Sequence, residues 1–292
     1  MNKANIGCIS LISGLALAAC SVNNGDTAER PTITVSIEPQ RQILEQLAGD
    51  RFDVVTLLAR GSDPETFDPS LSIRRQADNS KAYFAIGAFP FENNLKSSLP
   101  EEVSFVDVAQ GIQPLYGTHG HHGHAHAENH GTCNETADPH VWTSVSNMKL
   151  IASNMAAALC QIDSAGAQEY DRRLDKIIAH LDSLDQSLAS KVSGQKSFAI
   201  WHPSLSYFAH DYGLGQIAVG HESKEMPAKR LKEVIDSAKN NNVKVLFFQK
   251  EYDNRQAASL NKAIGSRLVE IDPLAYEWEN ELIRIADELA RP

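Results

Sequence analysis

No HExxH pair, G-x-S-x-G elbow, P-loop or Rossmann glycine fingerprint occurs in this sequence. Their absence removes the usual sequence signatures of metalloproteases, serine hydrolases and nucleotide-binding enzymes. Clustered basic residues are missing as well. With 27 Lys and Arg against 37 Asp and Glu, the formal charge is -10, which argues against a nucleic-acid or anionic-membrane partner. Beyond the first twenty residues no apolar run approaches the length of a bilayer span. Nothing in the composition indicates collagen, coiled coil or wholesale disorder, and 292 residues with 42% hydrophobic content suffice for two compact lobes.

What is present begins with an export signal. Lys3 precedes an apolar run over residues 6–19 that ends in Leu17-Ala18-Ala19-Cys20. About fourteen residues cannot span a bilayer but suit the hydrophobic part of a lipoprotein signal. Residues 1–19 are therefore read as the signal, Cys20 as the lipid-carrying first residue, and 20–31 as a polar tether. The body then lies outside the cytoplasmic membrane. Of the four cysteines, Cys8 leaves with the signal and Cys20 is modified, so Cys133 and Cys160 remain. Outside the cytoplasm they are expected to pair, closing a loop of about 27 residues worth about 3.5 kcal/mol on the chain-entropy model. The alternative is a free Cys133 serving as a soft metal ligand.

The most informative stretch is residues 117–142, GTHGHHGHAHAENHGTCNETADPHVW, which holds seven of the eleven histidines. His119, His121, His122, His124, His126 and His130 are interleaved with Gly, Ala and Asn, which bend easily and pack poorly. Neutral imidazole is the commonest protein ligand for borderline transition metals, so this accessory loop, residues 117–137, can collect a cation but cannot build a core. His140 differs. It follows Asp138-Pro139 and precedes an apolar, then helical, pattern.

Along the chain, residues 32–37, 52–58, 83–86 and 103–108 read as strands, with a helix at 40–47 and a polar helical stretch before residue 83, an alternating α/β lobe over residues 32–160. Residues 145–159 are helical. Apolar side chains at Tyr170, Leu174, Ile177, Leu181, Leu184 and Leu188 step by four and three along one helical face. That helix, about 28 residues and about 42 Å long, reads as a link between lobes over residues 161–193; a two-chain coiled-coil seam is the alternative, disfavoured by its few heptads. A monomer is expected. Residues 194–292 repeat the first grammar, with strands at 198–201, 216–219, 243–248 and 267–271 and helices at 204–212, 227–240, 254–264 and 277–289.

In open α/β sheets ligands bind beyond the carboxyl ends of strands. His202 directly follows one strand, Asp272 another, Glu65 lies on the loop after a third, and His140 precedes a helix at the end of the first lobe. Two imidazoles and two carboxylates make a plausible set for a divalent transition ion. Each residue also has a plainer role: Asp272 and Glu65 as turn residues, His202 as a strand terminus. His180, His210 and His221 are set aside as surface or loop residues. A metal with an open position can activate water, but no obvious base accompanies this set, so a zinc hydrolase has little support.

The segments GSDPETFDPS, DPHVW, HPSLSYFAHDYGL, EMPAKRL and EIDPL, with the histidine-rich loop before DPHVW, resemble the metal-binding solute-receptor lipoproteins of bacterial ABC importers, in particular the zinc-uptake receptors. The resemblance covers nearly all of the chain after residue 31. It implies two pseudo-symmetric α/β lobes joined by a single long helix, a metal cleft between the lobes, and an ABC permease with its ATPase as partners. It places His140, His202 and Asp272 on family ligand positions. At Glu65 this chain departs, having Asp63-Pro64-Glu65 where the family usually has DPH. Zn2+ is the expected cargo; Mn2+ or Fe2+, and a metal-dependent adhesin or buffer, are the alternatives.

Overall fold

Thr32–Val35 reads TITV, four β-branched residues whose stiff side chains favour a pleated strand. In the computed structural model, which describes residues 30–116, 137–220, 228–249 and 254–291, this is β1. After α1 (Glu38–Ala48) comes β2 (Asp53–Thr56), then α2 (Leu71–Asp78), β3 (Ala82–Ala85), α3 (Pro90–Lys96) and β4 (Ser104–Asp107). The four strands pair in parallel in the order β2-β1-β3-β4. Parallel pairing demands a crossover between neighbours, which the helices supply. Every residue of β3 is buried, as befits a strand covered on both faces.

Helix α3 departs from the sequence reading, which has no helix there. It is only seven residues long, too short to be stable alone. Its first turn is held by Glu92, 1% exposed, whose carboxylate accepts N–H groups from Ile86 at 2.8 Å, Ala88 at 3.0 Å and Phe89 at 3.1 Å. Ser36 Oγ donates to the same carboxylate. Burial pushes the Glu92 pKa up, while these donors pull against that shift. The pattern of Pro90 at the first position and Glu92 two residues on is the local signal.

Helix α4 (Val145–Ile162) starts at Ser144, whose Oγ accepts the Asn147 N–H at 3.0 Å. After a short 3₁₀ turn, α5 (Ala167–Val192) runs for 26 residues, about 39 Å at the usual rise. Tyr170, Ile177, Leu181, Leu184, Leu188 and Val192 are buried along it. That face packs on α1, α4 and α9 (Trp278–Ala290) of the same chain, so it is a link within one chain rather than a seam between two. At its start Arg51 grips Asp163 with two N–H groups, one at 2.8 Å. The guanidinium, helped by the Tyr170 hydroxyl, holds the Asp163 carboxyl down to about 2.

The second sheet repeats the first. Its strands β5 (Ser197–Ile200), β6 (Gly215–Ala218), β7 (Val245–Gln249) and β8 (Arg267–Ile271) are parallel in the order β6-β5-β7-β8, with α6 (Ser206–Asp211), α7 (Ala228–Asn240) and α8 (Asn254–Ile264) between them. The two orders are the same permutation, which is the pseudo-symmetry the sequence suggests. On one face Ala199, Val219, Val234, Val243, Leu246 and Leu260 form a small separate core. The other face joins the large core shared with the first lobe. Helix α9 crosses back to α1: Trp278 Nε1 donates to Gln42 Oε1 at 3.0 Å and the Tyr276 hydroxyl to Glu45 at 2.6 Å. Among the described residues no helix is long and apolar enough to cross a membrane.

Candidate metal centre

Three of the four residues singled out from the sequence meet where the two lobes face each other. Beyond β2, Leu57 and Leu58 still donate to Val35 and Ser36 carbonyls at 3.0 and 3.1 Å. The chain then turns at Asp63, whose carboxylate accepts the Glu65 N–H at 2.9 Å and the Thr66 hydroxyl at 3.1 Å. Asp before Pro64 thus builds a side-chain-capped turn that fixes the backbone of Glu65. His202 is placed by β5: Trp201 N–H bonds to the Phe247 carbonyl at 2.8 Å, and Ser204 N–H to the His202 carbonyl at 2.7 Å.

His140 is placed differently. Tyr116 and Ala137 form an antiparallel bridge, and Asp138 N–H donates to the Leu115 carbonyl at 2.8 Å, closing the base of the connection after β4. The buried Asp138 carboxylate then accepts both the His140 backbone N–H and ring Nδ1, each at 2.9 Å. A carboxylate only accepts, so Nδ1 carries the hydrogen and Nε2 presents its lone pair to the site. The His140 side chain is 4% exposed, that of His202 12% and that of Glu65 28%.

His140 Nε2 lies 3.2 Å from His202 Nε2 and 3.6 Å from Glu65 Oε1, and His202 Nε2 lies 3.4 Å from the same oxygen. Tetrahedral zinc with bonds of 2.0–2.1 Å separates its ligand atoms by about 3.3 Å. The three separations, 3.2–3.6 Å, match that spacing. Among the described residues this is the one group of three or more such donors lying within 4.8 Å of one another.

Asp272 is outside that group. It follows β8, its N–H donates to Glu281 at 2.7 Å, and its carboxylate accepts the Leu274 N–H at 3.2 Å. It lines an adjoining cleft of about 250 Å³ with Glu38, Arg60 and Tyr276. His180 contacts Glu279 at 2.5 Å and His210 lies by Asp211, both exposed and away from the centre. Among the described residues Cys160 forms no disulfide. Its expected partner Cys133, the accessory histidines His119 to His130, the signal with Cys20, and His221 lie outside the described residues.

Two contributors escape the sequence reading as functional groups. Asp138 orients His140; its signal is the Asp-x-His spacing, which lets one carboxylate reach both the backbone and the ring two residues on. Trp142 packs its ring 5.2 Å from the His140 ring and donates Nε1–H to the Pro273 carbonyl at 2.8 Å, joining the lobes beside Asp272. Loss of an outer partner of a metal-bound histidine costs about 10–100-fold in affinity. Asp138→Ala is expected to weaken zinc binding by about that factor, and Asp138→Asn, which keeps an acceptor, by less. Competitive titration of the metal-free variants measures both.

Known proteins share this fold. A solved structure of a ZnuA deletion mutant with zinc bound superposes with a TM-score of 0.78 at 32% identity, covering 90% of this chain and 97% of that one. A manganese-bound periplasmic metal-binding protein from Candidatus Liberibacter asiaticus shares the fold, with a TM-score of 0.74 at 16% identity over 89% of this chain and all of that one. A putative metal-binding protein of Treponema pallidum is 26% identical, covering 90% of this chain and 86% of its own length. The zinc-binding lipoprotein AdcA of Streptococcus pneumoniae is 26% identical over 96% of this chain, which spans 57% of AdcA. The family described as zinc-uptake complex component A, periplasmic, matches residues 33–285, and the chain belongs to that family.

Proposed function

We propose that this chain is an extracytoplasmic receptor that captures Zn2+ between its lobes and delivers it to an ABC permease and its ATPase, without chemical turnover. The observation that carries the reading is the 3.2–3.6 Å spacing of three donor atoms, Glu65 and His140 from the first lobe and His202 from the second. Asp272, close by at the end of β8, is the fourth ligand in this reading. The two imidazoles favour zinc, while carboxylate oxygens also suit manganese. Cys20 supplies a lipid anchor, Cys133 and Cys160 pair, and the histidines of residues 119–130 act as a low-affinity collector.

Glu65 is also the observation favouring a second reading, a manganese receptor, because it supplies an oxygen in place of an imidazole. Competitive titration of Zn2+ and Mn2+ on the metal-free protein decides between them. The expected result is tight zinc binding that survives deletion of residues 119–130 and weakens in Glu65→Ala. Tighter binding of manganese than zinc removes the zinc reading, and tight zinc binding undiminished by Glu65→Ala removes Glu65 from the site.

A further inference from the structure

The cavity beside the three donors is walled by Asp63, His140, Trp142, His202, Pro273 and one residue of no assigned role, Gln249. Asp63 is engaged in its turn and the Trp142 N–H is taken by Pro273. Gln249 is the last residue of β7 and only 6% exposed. In the β7–β8 register it stands opposite Ile271, the residue before Asp272. Its Oε1 accepts the hydroxyl of the fully buried Ser204 at 3.4 Å, and Ser204 is itself bonded to the His202 carbonyl. One end of the carboxamide is thereby turned to the His202 loop. The planar amide directs its Nε2, which can only donate, away from Ser204.

We infer that Gln249 is a specificity-determining residue of the metal centre: braced by Ser204, its N–H donates to the oxygen ligand that completes the Glu65, His140 and His202 set. The inference rests on the zinc-capture reading above. An amide nitrogen cannot ligate a cation, and a neutral side chain adds no charge to the cavity. With glutamine here, the centre keeps few oxygen donors and stays in the range that suits zinc. A carboxylate at the same place, almost wholly removed from water, gains most by binding the ion itself. Added oxygen ligands move preference toward manganese.

The test is competitive titration of Zn2+ and Mn2+ on metal-free wild type, Gln249→Glu, Gln249→Met and Ser204→Ala, with the melting temperature of each metal-free protein. Gln249→Glu is expected to shift the zinc-to-manganese affinity ratio toward manganese by about tenfold or more. Gln249→Met, of similar volume but without a donor, weakens zinc about 10–100-fold, and Ser204→Ala weakens it less in the same direction. A destabilised protein alone does not change the ratio of two metals on one folded site, so an unchanged ratio in Gln249→Glu overturns the inference. So does zinc affinity within about twofold of wild type in Gln249→Met, well below the loss expected of an outer-shell partner. Wild type without tight zinc binding overturns the receptor reading and this inference together; tight wild-type binding with an unmoved ratio overturns this inference alone.

Discussion

Replacing His140 by alanine is expected to lower zinc affinity by well over a hundredfold, the largest effect of any single substitution in the centre. An orienting partner is worth about 10–100-fold, and removing the ligand itself loses more. The same change leaves the Asp138 carboxylate, whose side chain is wholly buried, without its ring N–H. A hydrogen bond to a charged group contributes about 1.5–3 kcal/mol, so the metal-free variant is also expected to melt lower than wild type. His202→Ala is expected to lose comparable affinity with a smaller loss of stability, since its side chain is 12% exposed against 4% for His140. Competitive titration and thermal unfolding of the two variants separate these outcomes. Affinity within about tenfold of wild type in His140→Ala, no more than an outer-shell loss, contradicts the proposed centre.

Trp142→Ala is expected to cost about 3–5 kcal/mol of unfolding free energy, the range for large aromatic residues removed from a core. The ring is 1% exposed and packs against Phe89 at 5.8 Å and His140 at 5.2 Å. Its N–H is the direct bond from the His140 turn to Pro273. Trp142→Phe keeps an aromatic ring but not that donor, and isolates a hydrogen bond worth about 1 kcal/mol together with the small volume change. Urea denaturation of the metal-free proteins measures both. Because Pro273 adjoins Asp272, the alanine variant is also expected to bind zinc less tightly. A loss below about 1 kcal/mol in Trp142→Ala would mean that the ring is not part of a packed core.

Much of this architecture is legible in the residue pattern because it depends on local interactions. Residues 254–264 and 267–271 alternate from helix to strand where apolar period and Gly265 say they do, and the structure has the same bounds. The long helix is visible from its four-and-three apolar steps. Strand ends shift by a residue or two, as at β7, which ends at Gln249 rather than at 248. That shift is small in length but makes Gln249, which walls the cavity, the last residue of the strand. Helix α3 is hidden because seven residues carry too little periodicity, and a buried carboxylate rather than helix propensity holds its first turn.

The centre divides along the same line. Residue type and position after strands nominate Glu65, His202 and Asp272, and position before a helix nominates His140, while the Asp63-Pro64 and Asp138-Pro139 pairs announce fixed turns; these are properties of neighbours in the chain. Which donors meet is a different matter. His140 and His202 are 62 residues apart and touch only because two parallel sheets, each ordered second, first, third, fourth, face their carboxyl ends toward one another. That packing brings three donors within 4.8 Å and sets Asp272 in the adjoining cleft. It also decides which outer groups serve them. Asp138, Trp142 and Gln249 acquire their roles from distances across the fold, because a hydrogen bond or ring contact falls away within an ångström and no residue pattern carries that precision.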